Sequence, residues 1–415
     1  MGKELRYQLE KCVGCSLCMV GCPWEAISKG PIVEVAAGRI EEAPLVNVEL
    51  EKCTFCGLCV SACLFNSFSM LLDSTTLEDF SKVAGEHRVD EDKCIPCFLC
   101  ERICPREAIK AKVEIPRKDE LVVYEAGGKP EEAEGKIVFE EDKCCYCGLC
   151  EALCEAFEIF WEKPKPPEFK PAIGLRIDEE KCDYCGLCEK ICPTEALKVE
   201  CEHAPPRKVQ EAEIRGGIEI DQEKCVDCGI CAAFCPVEAI EVKKPLEGKV
   251  HIVKLEKCDP TGCKNCFNIC PVDAIYPVKG AEKIRVLEDF CIFCGACENA
   301  CPEEVLKVER LSLNLKDVGP SKPWRESRNR YLLRLIGRKV EPALLEPAYP
   351  RQVRLEIEVQ KPPEEEAPPE WEVDRQAKKL LEEKLGKLAE GLGEKTFRAT
   401  FELGKLDKLL GRVKG

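Results

Sequence analysis

One cysteine spacing recurs eight times along this 415-residue chain, and it leaves little freedom in what most of the chain folds around. The first copy is Cys12-x2-Cys15-x2-Cys18-x3-Cys22. The same intervals separate Cys53, Cys56, Cys59 and Cys63, then Cys94, Cys97, Cys100 and Cys104, then Cys144, Cys147, Cys150 and Cys154. They return at Cys182, Cys185, Cys188 and Cys192, at Cys225, Cys228, Cys231 and Cys235, and at Cys291, Cys294, Cys297 and Cys301. The seventh copy, Cys258, Cys263, Cys266 and Cys270, has a first interval two residues longer. Together the copies use 32 of the 34 cysteines.

Three cysteines at i, i+3 and i+6 form a tight loop whose thiolates converge on one point, while the fourth is carried away by a short helical segment. This is the bacterial ferredoxin spacing, in which the fourth cysteine ligates the neighbouring [4Fe–4S] cluster. Units should therefore work in pairs. In the simplest pairing Cys12, Cys15 and Cys18 share a cluster with Cys63, and Cys53, Cys56 and Cys59 share its twin with Cys22. Zinc sites show two separated Cys-x2-Cys halves instead. Disulfide scaffolds belong to small secreted chains, and the charged stretch from Met1 to Lys11 is no secretory signal. The expected cofactor is thus eight [4Fe–4S] clusters, with the 32 motif cysteines as metal ligands.

The flanks repeat as well. A lysine precedes the first cysteine at Lys11, Lys52, Lys93, Lys143, Lys181, Lys224 and Lys257, and Phe290 breaks the series. Six fourth cysteines are followed by proline, often within Pro-x-Glu-Ala-Ile as at Pro105 and Pro236. That proline closes the cluster loop and starts a helical turn without needing an N–H partner. Each unit reads as strand, loop, helical turn and strand, which predicts an α+β chain of tandem bacterial-type two-cluster ferredoxin-like domains, about four lobes, with a cysteine-free C-terminal extension. Leu64 and Glu155 replace the proline in the second and fourth units, and both mark second halves if units pair in sequence. The expected domains are 1–75, 76–163, 172–245, 246–310 and the extension 311–415. The Pro-rich stretch 164–171 is the expected boundary between four clusters and four, although insertion of one lobe inside another stays open where linkers are long. Cys145 and Cys201 are left over and read as small buried hydrophobes, with a redox or repair role as the alternative.

Composition sets the surroundings. Aromatic residues are only 6%, low for ordinary cores, so clusters must replace much of the core, and without metal the cysteine-rich region should be largely unfolded. The formal net charge is −15, and each oxidised cluster with its thiolates adds about two negative charges. That disfavours nucleic acid as a partner and suits docking on a basic patch of a redox protein. Reduced thiols and oxygen-labile clusters imply an anaerobic cytoplasm, and no apolar run is long enough to span a membrane. Abundant Glu, Lys and Arg resemble a thermophile's balance.

The tail differs. Arg325, Arg328, Arg330, Arg334 and Arg338 form a basic stretch around Trp324 and Tyr331, either a solvated face or an arm docked on an acidic neighbour such as the chain's own lobes. Val353, Leu355, Ile357 and Val359 alternate like a half-buried strand. Pro362 to Pro369 reads as an extended linker, and Ala377, Leu381, Leu385, Leu388 and Leu392 mark an amphipathic helix interrupted by glycine. His87, His203 and His251 form no metal or nucleophile constellation in the sequence, and no phosphate-cradling glycine loop occurs. No catalytic site is expected.

The texture between motifs carries a resemblance. Lys29-Gly-Pro-Ile-Val-Glu-Val-Ala-Ala-Gly-Arg39, Cys53-Thr-Phe-Cys-Gly-Leu-Cys59, Cys63-Leu-Phe-Asn66 and Cys94-Ile-Pro-Cys-Phe-Leu-Cys-Glu-Arg-Ile-Cys-Pro105 resemble the polyferredoxins of methane-producing archaea. Within these, the chain looks most like the polyferredoxin subunits of tungsten or molybdenum formylmethanofuran dehydrogenases. The resemblance spans about residues 1–310. It implies a string of ferredoxin-like lobes that carries low-potential electrons to or from metal-pterin subunits reducing CO2 at the first step of methanogenesis. The implied partners are those other subunits and a redox protein of ferredoxin, hydrogenase or heterodisulfide reductase type. A polyferredoxin of a nickel–iron hydrogenase system has the same chemistry with another partner, and a cluster-stapled scaffold or store is the alternative of a different class.

Overall fold

A computed structural model describes residues 3–77, 80–125, 127–316, 323–339 and 355–358. Each unit is built alike. A loop carries the first two cysteines, and a helix of four or five residues begins just before the third, as in Leu58–Ala62, Leu149–Leu153, Leu187–Ile191 and Ala296–Ala300. The residue entering the helix is left-handed in six units, and in five of these it is glycine, which adopts that conformation without a Cβ clash. Gly57, at φ +79°, also lies against Phe80, and a Cβ there would meet the ring at 2.0 Å. The helical turn thus runs up to the fourth cysteine and does not begin at it. After that cysteine comes a tight turn, whose third residue is left-handed at Glu25, Asn66, Glu107, Glu195, Glu238, Asp273 and Glu304.

Strand ladders decide which units pair. Lys3–Gln8 runs antiparallel to Phe68–Leu72, and Ile27–Lys29 to Val46–Val48, joining units 1 and 2 as lobe A. Leu246–Ile252 pairs with Leu306–Leu313, and Ile275–Pro277 with Ile284–Val286, joining units 7 and 8 as lobe D. The middle of the chain corrects the expected order. Glu86–Val89 pairs with Ile240–Lys243, and Ile109–Glu114 with Arg215–Ile220, so unit 3 joins unit 6 in lobe B. Glu134–Phe139 pairs with Leu197–His203, and Phe157–Trp161 with Ala172–Ile177, so units 4 and 5 form lobe C, inserted within lobe B. A short ladder of Val122–Tyr124 with Arg207–Val209 binds the two connections together.

The expected lobes 76–163 and 172–245 therefore do not correspond to the ladders. The Pro-rich stretch 164–171 is the loop of a hairpin inside lobe C, not a boundary. Its Phe169 is 1% exposed and sits 6.0 Å from the Phe234 ring and 5.3 Å from the Phe290 ring, packing lobe C onto units 6 and 8.

The largest apolar core is shared. Leu5, Tyr7, Leu58 and Phe65 of lobe A meet Leu246, Ile292 and Phe293 of lobe D and Tyr331, Leu332 and Leu335 of the extension. Helix Pro323–Leu332 with its continuation Leu333–Ile336 thus docks on the chain's own lobes, and the Arg328 guanidinium stacks 4.9 Å over Phe80. Arg330 and Arg338 stay exposed. Leu355–Glu358 adds a parallel strand beside Lys3–Gln8. Val353, Val359, the proline linker and the C-terminal amphipathic stretch lie outside the described residues. Among the described residues no helix is long and apolar enough to cross a membrane.

Candidate metal centres

The loop geometry turns backbone N–H groups onto sulfur. The left-handed residue before the second cysteine aims its N–H at the first: Phe55 to Cys53 at 3.4 Å, Tyr184 to Cys182 at 3.3 Å, Phe293 to Cys291 at 3.3 Å. Such bonds favour negative charge on sulfur, as cluster ligands require.

The thiols gather crosswise: Cys22 lines one cavity with Cys53, Cys56 and Cys59, Cys192 another with Cys144, Cys147 and Cys150, and Cys301 a third with Cys258, Cys263 and Cys266. Burial pushes the motif thiols up, and the charge of the partner unit's fourth cysteine adds to it. In lobe A, Cys63 acts on Cys12, Cys15 and Cys18, and Cys22 on Cys56 and Cys59. In lobe B, Cys235 acts on Cys94, Cys97 and Cys100, and Cys104 on Cys228 and Cys231. In lobe C, Cys192 acts on Cys144 and Cys150, and Cys154 on Cys182 and Cys188. In lobe D, Cys301 acts on Cys258 and Cys266, and Cys270 on Cys291 and Cys297. Burial and this mutual repulsion hold several of these thiols well above the ordinary range, Cys100, Cys231 and Cys297 among them. Buried quartets of sulfur need a compensating cation, and iron in a cubane is chemically suited to that donor set.

This arrangement has a sharp consequence for substitution. Cys104→Ser is expected to empty the centre of Cys225, Cys228 and Cys231, not that of its own loop. Adding Cys225→Ser should cost no further iron, whereas adding Cys94→Ser should double the loss from about four irons to about eight. Iron analysis of the single and double variants checks this.

Unit 7 is more open than units 2 and 4. A cavity of about 250 Å³ lies among Cys258, Asp259, Cys263, Cys266, Phe267 and Cys301, against about 20 Å³ at unit 2 and at unit 4. Its longer loop is held by the Asp259 carboxylate, which accepts from Thr261 N, Thr261 Oγ1 and Gly262 N at 2.6–3.1 Å. Lys283 Nζ donates to Cys258 O at 2.7 Å.

The spare cysteines separate. Cys145 is half-buried, and a hydrogen bond to Cys147, with burial opposing it, lowers its thiol below the ordinary range. Cys201 is exposed on an edge strand, with Arg207 3.5 Å from its sulfur, so the buried reading fails there. One histidine also departs from expectation. His87 Nδ1 lies 2.7 Å from Asp227 Oδ1, and both sit within 4.8 Å of Cys225. Only the nested pairing of Glu86–Val89 with Ile240–Lys243 brings His87 there, and sequential pairing hid it.

Cysteine loops of different lobes also touch: Asn299 of lobe D donates to the Gly14 carbonyl of lobe A at 3.0 Å, and the Phe98 N–H of lobe B donates to the Cys147 carbonyl of lobe C at 3.1 Å. Besides burial, Cys294 of lobe D acts on Cys15 of lobe A. Cys97 of lobe B is among the charges on Cys147 of lobe C, after the Cys145 bond and burial. Lys244 Nζ donates to Glu288 O at 2.7 Å and lies 5.5 Å from the Phe293 ring; burial lowers it, while Cys291 of lobe D and Cys228 of lobe B oppose that.

Loops of this form, repeated on an α+β scaffold, define an iron–sulfur protein that carries electrons through several clusters. Comparison with known proteins agrees. A 4Fe-4S dicluster domain matches residues 11–67 and another residues 257–306, and a 4Fe-4S binding domain matches residues 175–198 and 218–241. An uncharacterized ferredoxin of Methanocaldococcus jannaschii is 35% identical over 52 residues, 12% of this chain and 82% of that ferredoxin. A ferredoxin of Methanothermococcus thermolithotrophicus is 30% identical over 57 residues, 14% of this chain and 93% of its own length. A Mycolicibacterium smegmatis ferredoxin is 43% identical over 54 residues, 13% of this chain but only 49% of that ferredoxin. The chain belongs to the ferredoxins. A chain of the formate dehydrogenase, heterodisulfide reductase and formylmethanofuran dehydrogenase complex from Methanospirillum hungatei superposes with a TM-score of 0.45 at 26% identity, covering 78% of this chain and 83% of that one.

Proposed function

We propose that the 32 motif cysteines hold eight [4Fe–4S] clusters in four lobes, and that the chain relays low-potential electrons within a CO2-reducing formylmethanofuran dehydrogenase complex of methanogenesis. The observation that carries the relay is the contact of cysteine loops between lobes, A with D where Asn299 donates to the Gly14 carbonyl at 3.0 Å, and B with C where the Phe98 N–H donates to the Cys147 carbonyl at 3.1 Å. Tunnelling falls steeply with distance, so a store or scaffold has no need of such approaches, whereas a conductor does. Bound clusters supply one-electron transfer. The chain's own residues place them, shield them and set their hydrogen bonds. The choice of complex rests on the sequence resemblance of residues 29–39, 53–66 and 94–105.

An anaerobic pull-down from native cells tests this reading. Tungsten- or molybdenum-pterin subunits recovered with the chain are the expected result. Nickel–iron hydrogenase subunits would keep the relay and change the machine. A chain recovered alone, with clusters that no added reductase can reduce, would support a store or scaffold.

A further inference from the structure

Seven of the eight fourth cysteines accept the same hydrogen bond. The N–H four residues on donates to their sulfur: Ala26 to Cys22 at 3.4 Å, Ser67 to Cys63 at 3.2 Å, Ala108 to Cys104 at 3.3 Å, Ala196 to Cys192 at 3.2 Å, Ala239 to Cys235 at 3.3 Å, Ala274 to Cys270 at 3.3 Å and Val305 to Cys301 at 3.2 Å. The left-handed residue three on makes this geometry, at φ between 49° and 53° in all seven. Even unit 2, which lacks the proline, keeps it through Asn66 and Ser67.

Unit 4 does not. Cys154-Glu-Ala-Phe157 is two residues shorter than Cys192-Pro-Thr-Glu-Ala-Leu197, so buried Ala156 and Phe157 take the places that Ala196 and Leu197 hold in unit 5. The strand Phe157–Trp161 starts at once, and among the described residues the bond made to the Cys154 sulfur comes from a side chain and not from a backbone N–H. A side chain stands there instead. Lys118 Nζ, from helix Lys118–Leu121 in the connection leading into lobe C, donates to Cys154 Sγ at 3.5 Å.

Lys118 is built into position. Its ammonium pairs with Asp183 Oδ1 at 2.7 Å, and the Asp183 side chain is 2% exposed. Tyr124 donates its hydroxyl to Asp183 Oδ2 at 3.0 Å. Arg207 donates to the Tyr124 hydroxyl at 3.1 Å, to the Tyr184 carbonyl at 2.9 Å and to the Asp183 carbonyl. Tyr124 and Arg207 come from the two strands of the ladder between lobes B and C. Of the eight fourth cysteines, Cys154 alone among the described residues has a charged donor on its sulfur.

Resting on the cluster reading above, we propose that Lys118 is a positioning residue that sets the reduction potential of the centre formed by Cys182, Cys185, Cys188 and Cys154. Reduction adds one negative charge to a cluster. An ammonium bonded to its sulfur stabilises that charge more than a neutral amide does, because a charge-assisted bond is about twice as strong and the site is partly shielded from water. Asp183 holds the lysine and works in the opposite sense. This centre therefore lies at higher potential than it would with the backbone bond of the other seven. No proton moves in this step: one electron arrives from a neighbouring cluster or a reduced redox protein and leaves to another cluster or an oxidised one, and Lys118 acts only as a fixed charge.

Redox titration of the full-length chain, followed by the electron paramagnetic resonance of its reduced clusters, tests this after iron has been counted. In Lys118→Met, about one-eighth of the reduced signal should move to lower potential. In Asp183→Asn the same fraction should move to higher potential, and Lys118→Arg should stay near the unsubstituted profile. Opposite signs from two neighbouring substitutions are not the mark of local damage. Iron-complete Lys118→Met with an unchanged profile, or shifts of the same sign in both variants, would overturn the proposal. If Lys118→Met loses four irons, Asp183→Asn decides: a rise supports the role, and an unmoved profile ends it. An unsubstituted chain that carries little iron would instead fail the cluster reading beneath it.

Discussion

Replacing residues 115–214 with an Asn-Gly pair is expected to remove about eight irons and leave about 24. The ladder of lobe B places Glu114 opposite Arg215, so the excision ends on two facing residues of neighbouring antiparallel strands. A two-residue Asn-Gly turn is what such a pair needs to close as a hairpin, because its backbone twist matches that of the strands. Units 4 and 5 leave together, with both of their centres, since every thiol they need lies within the removed segment. Units 3 and 6 keep the strands Glu86–Val89 and Ile240–Lys243 and the crossed arms Cys104 and Cys235. Loss of Phe169 uncovers Phe234 and Phe290, so some solubility should go with it. Had the units paired in sequence, the same excision would break two lobes and leave no more than about 16 irons. Iron per chain separates the two topologies without a structure.

Stripping iron and sulfide under anaerobic conditions should have the second large effect, collapse of most of the strand structure between residues 3 and 316. Apart from the shared core, the apolar clusters are small. One cluster of lobe B has Cys100, Ile109 and Ile240 as its buried members, another joins Leu99, Ile103 and Ile230 to Cys147, Leu149 and Phe169 of lobe C, and lobe C divides the rest among clusters of three to eight buried residues. Cores of this size do not offset the entropy of ordering so many loops. Without iron the buried thiols, held up by burial and by each other, fill the space as protons on sulfur and supply no cross-link. Far-UV circular dichroism and amide exchange of the stripped chain should show the loss, and both should return when iron and sulfide are restored. A stripped chain that keeps native exchange protection in lobes B and C would contradict this.

The cysteine loops were legible because the same spacing returns eight times and imposes one local geometry. Cys12, Cys15 and Cys18 can converge only as they do, and the crossing to Cys63 follows from the arm that carries the fourth cysteine. The pairing of units was not legible in the middle of the chain. Strands such as Glu86–Val89 are four residues long and weakly patterned, and nothing in them names a partner more than a hundred residues away. Glu155 misled for an instructive reason. Together with Leu64 it looked like the mark of a second half, yet Leu64 leaves the turn intact, while Glu155 accompanies a two-residue shortening that removes a hydrogen bond. What replaces that bond, Lys118, stands 36 residues upstream, where no motif points to it. His87 and Asp227 came together by the same hidden route, and Cys201 proved exposed because its strand lies at an edge. In the tail, the alternation of Leu355 and Ile357 announced the strand that joins lobe A, and the basic stretch hid the Tyr331, Leu332 and Leu335 face that anchors it.

Iron and acid-labile sulfide, counted on the anaerobically purified full-length chain, test the central claim most directly. Eight cubanes require about 32 irons and an equal amount of sulfide per chain. Markedly less iron, or zinc in its place, would contradict the account.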